Sequence, residues 1–204
     1  MQDMADTTIL RPPFRSVCVF CGSSETTKSE YHDLAARFGA ELAARGLRLI
    51  YGGGSIGLMG RCAKAAHAAG GEVLGIMPHF LERREIVLEN VPHRMVDTMH
   101  ERKHSMFQES DAFVVLPGGI GTLEELFEVL SWRTLGLHSK PIVIVDQGGY
   151  WRPLADLLRS IVGRGFAEPS HLDHVAFVSD LSEILPAIAA MPREAGPGGR
   201  LDRV

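Results

Sequence analysis

The residues best suited to chemistry lie together between Leu116 and Glu125, in the run Leu-Pro-Gly-Gly-Ile-Gly-Thr-Leu-Glu-Glu. Pro117, Gly118, Gly119 and Gly121 present backbone with little side chain, so a ligand can come close to main-chain N–H groups. At the positive end of a helix, such groups favour phosphate. Glu124 and Glu125 place carboxylates at the loop exit. They lie about 100° apart on a helix, so only one can face the loop, and Glu125, nearly one turn beyond Thr122, is favoured. Thr122-x-x-Glu125 also has the form of a capping box, in which the two side chains would merely close the helix end. Three glycines and a proline in five residues exceed what a cap requires and weigh toward a ligand loop.

Two other turns have similar composition. Gly22-Ser23-Ser24 ends an apolar run in small polar residues, which suits either a plain turn or a backbone and hydroxyl cradle. Gly52, Gly54 and Gly57 spell G-x-G-x-x-G within Tyr51–Gly60. A dinucleotide site also needs an acid at the end of the following strand to hold the ribose diol. That strand, Glu72–Met77, ends in Met77-Pro78-His79, and its one acid stands at the wrong end. No G-x-x-x-x-G-K-[ST] occurs, so there is no P-loop.

His100-Glu101-x-x-His104 matches a zinc-peptidase helix, with Glu124 twenty residues farther on. A strand and the glycine loop intervene, so a zinc site is disfavoured and no metal is expected. The same segment holds Arg102-Lys103, two cations just ahead of the glycine-loop strand. An anion on the loop needs partners, and a guanidinium fork suits phosphate or a polar reaction centre. Arg83, Arg84 and Glu85 fall in the least regular part of the chain, Phe80 to Val96, and read as a charged surface patch. Cys18-Val-Phe-Cys21 resembles a redox C-x-x-C, but residues three apart on a strand face opposite ways, so inert thiols are expected.

These residues must be positioned by alternating strands and helices. Short apolar runs at 16–21, 47–51, 72–77, 111–116 and 140–146 read as strands buried on both faces. Helical spacing follows at 29–45, up to Ala69, from Thr122 through Leu135, at 150–162 and at 181–190, with a last strand at 175–178. The pattern predicts a Rossmann-like α/β fold: a doubly wound parallel sheet, helices on both faces, in a single domain. All three turns then fall at the strand C-termini, where such sheets bind ligands. Residues 1–15 read as a flexible arm, 16–190 as the nucleotide-binding domain and 191–204 as a flexible tail.

At 204 residues with 45% hydrophobic and 23% charged side chains, the chain can bury a full core. A net charge of −4 argues against nucleic acid or anionic lipid as a partner. The N-terminus lacks a signal-peptide pattern and no apolar run is long enough to span a membrane, so a cytoplasmic protein is expected.

Taken in order, Gly52-Gly-Gly-Ser-Ile-Gly-Leu-Met-Gly60, Met99-His-Glu-Arg-Lys103 and Pro117-Gly-Gly-Ile-Gly-Thr-Leu-Glu-Glu125, flanked by Cys21-Gly-Ser-Ser24 and Ser131-Trp132, resemble the Lonely guy (LOG) phosphoribohydrolases, often mislabelled lysine decarboxylases. The resemblance covers about 16–185. It implies hydrolysis of the N-glycosidic bond of a nucleoside 5′-monophosphate, typically a cytokinin riboside monophosphate, to free base and ribose 5-phosphate. It also implies a homodimer with sites near the subunit contact, and no cofactor. By matching position, Arg102 and Glu125 would be the catalytic pair. Substrate would be bound by Glu85, Met99, Lys103, Gly118, Gly119, Ile120, Gly121, Thr122, Glu124 and Ser131, with Ser23 and Gly54 in support. Around Phe80 to Val91 the chain departs from the plant pattern, with Arg83-Arg84-Glu85 for Pro-Arg-Glu, and Thr134 stands where glutamine is common.

Cleavage of a ribosyl bond develops positive charge on the sugar, which a nearby carboxylate stabilises. Glu125 takes that role in this reading, and Arg102 holds the ribose hydroxyls or keeps Glu125 ionised. The competing reading is a non-catalytic carrier of a nucleotide or phosphorylated cofactor, which needs the glycines but no acid at the loop exit. Pyridoxal-phosphate decarboxylation requires a Schiff-base lysine, and Lys28, Lys64 and Lys140 have no fitting context.

Overall fold

The computed structural model describes residues 14–81, 87–88 and 90–192. Among them, seven strands form one parallel sheet: β1 (Ser16–Phe20), β2 (Arg48–Tyr51), β3 (Val73–Pro78), β4 (His93–Val96), β5 (Ala112–Val115), β6 (Ile142–Val145) and β7 (Ala176–Val178). Their order is β4-β3-β2-β1-β5-β6-β7. Six α-helices connect them: α1 (Ser29–Ala44), α2 (Gly57–Ala68), α3 (Met99–Gln108), α4 (Ile120–Thr134), α5 (Arg152–Gly163) and α6 (Leu181–Ala190).

The central strands are apolar throughout because both their faces are covered, and alternation decides which core each residue joins. Val17, Val19 and Val114 pack with Leu34, Phe38 and Leu42 of α1, Cys62 of α2 and Ile188 of α6. Cys18, Phe20 and Phe113 point the other way, to Phe107 of α3, Leu126 of α4 and Leu154 of α5. The sheet is therefore wound on both faces. Cys18 and Cys21 fall on opposite sides of it and remain free thiols, as alternation requires. At Gly39 of α1 an added Cβ would lie 2.1 Å from the Cys62 carbonyl oxygen, so α1 and α2 meet backbone to backbone.

Strand order reverses between β1, which leads on to β2, and β5, which leads on to β6. The carboxyl ends of β1 and β5 open there into a crevice. Three elements differ from the sequence reading. β4 lies within the stretch expected to be irregular; as an edge strand it pairs with β3 alone, and only Val96 of its four residues is buried. Helix α5 starts at Arg152, so Tyr150 belongs to the preceding turn. Glycine rather than threonine opens α4. Gly119 is its N-cap, Ile120 its first residue, and no side chain caps it, which overturns the capping-box alternative for Thr122 and Glu125. No helix of the described residues is long and apolar enough to cross a membrane.

Candidate active site

A cavity of about 480 Å³ occupies the switch point, walled by the ends of β1 and β2, the start of α4, and side chains from α2 and α3. The first intrahelical bond of α4 runs from the Leu123 N–H to the Gly119 carbonyl, at 3.0 Å. Ahead of it, the N–H groups of Gly119, Ile120, Gly121 and Thr122 have no acceptor among the described residues. The glycines of this loop do different jobs. A Cβ on Gly118 would lie 2.1 Å from the Thr122 hydroxyl, so its bareness lets the loop fold upon itself. At Gly119 and Gly121 a Cβ would meet nothing within 4 Å, so these two leave room for something other than protein.

Arg102 is 7% exposed and is aimed by main chain from two neighbouring strands. Its Nε donates to the Ile76 carbonyl at 3.2 Å and its Nη2 to the Gly52 carbonyl at 3.1 Å. Nη1 meets only the Met99 sulfur, at 3.8 Å, among the described residues. Gly52 must be glycine for this arrangement, because a Cβ there would fall 2.0 Å from Nη2. With no carboxylate partner among the described residues, this buried guanidinium keeps hydrogen-bonding capacity for a ligand.

Glu125, one turn into α4, also faces the cavity and forms no hydrogen bond or ion pair among the described residues. Burial pushes its carboxyl from an ordinary 4.5 up to about 7, and Glu124 and Glu128 add to the rise. Arg102 and Lys103 pull it down without cancelling that effect. Arg102 thus moderates the Glu125 pKa but does not hold the carboxylate in its ordinary range, contrary to the sequence expectation.

Residues 59–188 match the family described as "Possible lysine decarboxylase". A cytokinin riboside 5′-monophosphate phosphoribohydrolase of Arabidopsis thaliana is 45% identical over 173 residues, 84% of this chain and 80% of the relative. An Oryza sativa subsp. japonica protein, named a probable enzyme of the same kind, is 48% identical over 163 residues, 79% of this chain and 67% of the relative. The chain belongs to the LOG family. Its fold is also similar to that of the molybdenum cofactor carrier protein of Chlamydomonas reinhardtii, with a TM-score of 0.66 across 85% of this chain and 95% of that one. At 21% identity, that likeness is one of fold alone.

Of the positions that the LOG resemblance singles out, the cavity gathers Ser23, Arg102, Gly118, Gly119, Ile120, Gly121, Thr122 and Glu125. Others lie outside its wall. Lys103 is bonded to Glu124 and, at 2.9 Å, to Glu128, joining α3 to the outer side of α4. Gly54 forms an antiparallel bridge with Val87, and Gly52 is the glycine of that loop that reaches the cavity. Met99 buttresses Arg102, and Ser131 is exposed on α4 three turns after its start. Glu85 is outside the described residues.

The sequence reading missed Val19, Thr27, Tyr31, Leu58, Met59, Met106 and Tyr150, which also line the wall. Tyr150 could have been found, since it follows Gly148-Gly149 at the carboxyl end of β6, on the sheet edge where ligands collect. The zinc-like motif serves as local structure: Glu101 accepts from the Asp97 N–H at 2.9 Å, and its own N–H donates to Thr98 at 3.0 Å. No cluster of three metal-binding side chains occurs among the described residues. None of Lys28, Lys64, Lys103 and Lys140 lines the cavity.

Proposed function

We propose that this LOG-family chain hydrolyses the N-glycosidic bond of nucleoside 5′-monophosphates, releasing the base and ribose 5-phosphate. The observation that carries the reading is the Glu125 carboxylate, unpaired among the described residues, placed in the cavity one turn beyond four N–H groups that have no acceptor among them, and sharing it with Arg102. One helical turn is about 5.4 Å, a separation comparable to that between the 5′-phosphate and the anomeric carbon of a nucleotide. The N–H groups from Gly119 to Thr122 receive the phosphate, with the Ser23 hydroxyl nearby, and remote binding energy brings the reacting bond to Glu125.

As the bond to the base breaks, its electrons leave with the base and the sugar becomes cation-like. Ionised Glu125 stabilises that charge and takes a proton from the water whose oxygen bonds to the anomeric carbon; the departing base nitrogen takes a proton from solvent, and Glu125 returns its own to solvent. A pKa of about 7 suits this task, because the group is substantially ionised at neutral pH yet basic enough to accept a proton. Arg102, fixed by two carbonyls, offers Nη1 to the ribose hydroxyls. Leu58, Met59 and Met106 give the cavity an apolar wall, which supports adenylates with an apolar N6 substituent, the cytokinin type, as substrates.

Ile120 and Phe127 on α4 and Leu135 at its C-cap are 86%, 36% and 70% accessible, an apolar series that begins at the cavity mouth and continues along the helix away from it. This series supports a homodimer that packs along α4 close to the site.

Incubation with adenylate, isopentenyl-adenylate and pyrimidine monophosphates, with free base as readout, tests the reaction. Glu125→Ala and Arg102→Ala are expected to fold and to lose most base release. No base release from any substrate would overturn the enzymatic reading in favour of a carrier, and equal rates on the dephosphorylated riboside would overturn the phosphate cradle.

A further inference from the structure

The loop that faces the cavity has every carbonyl occupied. The Pro117 carbonyl accepts from the Gly22 N–H at 3.0 Å and the Gly119 carbonyl from the Leu123 N–H at 3.0 Å, both backbone bonds. Between them, the Gly118 carbonyl accepts from the Tyr150 hydroxyl at 2.6 Å. Only this middle carbonyl depends on a side chain. The peptide it belongs to joins Gly118 to Gly119, so neither flanking residue has a Cβ to resist rotation of the unit. Carbonyl and N–H lie on opposite edges of a trans peptide, and fixing the Gly118 oxygen fixes the direction of the Gly119 N–H. A flipped unit would present oxygen where the N–H now stands, and oxygen repels an anion.

Tyr150 is itself held firmly. Asp146 accepts from the Trp151 N–H at 2.6 Å, the Tyr150 N–H donates to the Gln147 carbonyl at 3.2 Å, and Gly148 and Gly149 take positive φ to close this turn. The Tyr150 ring packs edge-on against Tyr31 and Trp151, with centroids 5.6 and 4.8 Å away. An aromatic ring braced on two sides sets its hydroxyl with little freedom.

The geometry points to Tyr150 as a positioning residue of the phosphate cradle: its hydroxyl locks the Gly118–Gly119 peptide in the orientation that receives the 5′-phosphate. This rests on the substrate class proposed above, and it concerns binding rather than bond cleavage. Tyr150→Phe keeps the braced ring and deletes only the lock.

The test is calorimetric binding of ribose 5-phosphate to the wild type and to Tyr150→Phe, with steady-state kinetics on adenylate alongside. Loss of one hydrogen bond of this kind is expected to raise the ribose 5-phosphate Kd and the KM by roughly five- to tenfold each. The expected kcat stays within about twofold, and affinity for free adenine is unchanged. With glycine labelled by nitrogen-15, the Gly119 amide should shift on ligand addition in the wild type and much less in the variant. Unchanged ribose 5-phosphate affinity, a fall in kcat without a rise in KM, or a parallel loss of adenine binding would each overturn the role. Because binding needs no turnover, a wild type that binds ribose 5-phosphate but releases no base refutes the proposed reaction alone. A Tyr150→Phe variant with wild-type affinity in an active enzyme refutes the lock alone.

Discussion

A single methyl group at Gly52 should disable this enzyme without touching substrate. The ideal Cβ lies 2.0 Å from Nη2 and 3.1 Å from Cζ of Arg102. Non-bonded carbon and nitrogen settle near 3.5 Å, so in Gly52→Ala the guanidinium must retreat by about 1.5 Å. It then cannot keep both the Gly52 and Ile76 carbonyls, the two contacts that aim it. The group displaced is the far end of a flexible side chain, so the fold should survive with a loss of about 1–3 kcal/mol, as for other overpacked sites. A displacement beyond 1 Å in a reacting constellation lowers turnover by about 100-fold. Gly121→Ala supplies the contrast: nothing lies within 4 Å of its Cβ, so stability should hold while ribose 5-phosphate binding weakens. Thermal melts, kcat and ribose 5-phosphate inhibition on the two variants separate these outcomes. A folded Gly52→Ala enzyme within threefold of wild-type kcat would refute the reasoning, as would a Gly121→Ala protein that binds ribose 5-phosphate normally.

Other expectations follow from the charge around Glu125. In the proposed reaction the ionised form of Glu125 does the work, and burial pushes its carboxyl up to about 7, so kcat/KM should fall as pH drops through 7, by about tenfold per unit below that point; a profile flat down to pH 5 contradicts the assignment. Raising a folded-state pKa from 4.5 to about 7 favours the protonated protein, so stability present below pH 4.5 is lost as pH rises through 7, by at most about 3 kcal/mol. Glu125→Gln should therefore melt higher than wild type at pH 8 and nearly alike at pH 4.5, which paired thermal scans would show. Lys103→Met removes a cation that lowers the Glu125 pKa and leaves Glu124 and Glu128 unneutralised, so the acid limb of kcat/KM should move to higher pH. A limb that stays in place or moves to lower pH counts against the coupling.

How much of this was written in the sequence depends on how local the signal is. β1, β5 and the glycine loop after β5 were legible because strands buried on both faces are apolar throughout, and because bare backbone before a helix has few other uses. β4 was not: a strand at the sheet margin, with only its last residue buried, carries no such pattern. The sequence also established that only one of Glu124 and Glu125 could face the loop. It could not show that the other finds Lys103, a residue of another helix whose approach is set by how α3 and α4 pack. Gly52 was visible as a glycine but not as the space for a guanidinium fifty residues away, since that requires β2, β3 and α3 to be assembled first.

The same assembly explains why G-x-G-x-x-G here does not announce a dinucleotide. Gly52 clears room for Arg102, and Gly57, with a φ of 60°, would drive a Cβ to 2.4 Å from the Ser23 carbonyl carbon. These glycines are spent on bringing protein against protein, around the cavity rather than inside it. Of the five described glycines that line the cavity, Gly22, Gly52 and Gly118 abut other parts of the chain, whereas Gly119 and Gly121 leave space unclaimed, and they sit at the sole helix start where four successive N–H groups border the cavity among the described residues. A motif counts glycines, whereas a site depends on which of them remain empty. By that measure the phosphate of the proposed substrate fits the start of α4, and the first glycine loop makes room for the guanidinium that lines the same cavity.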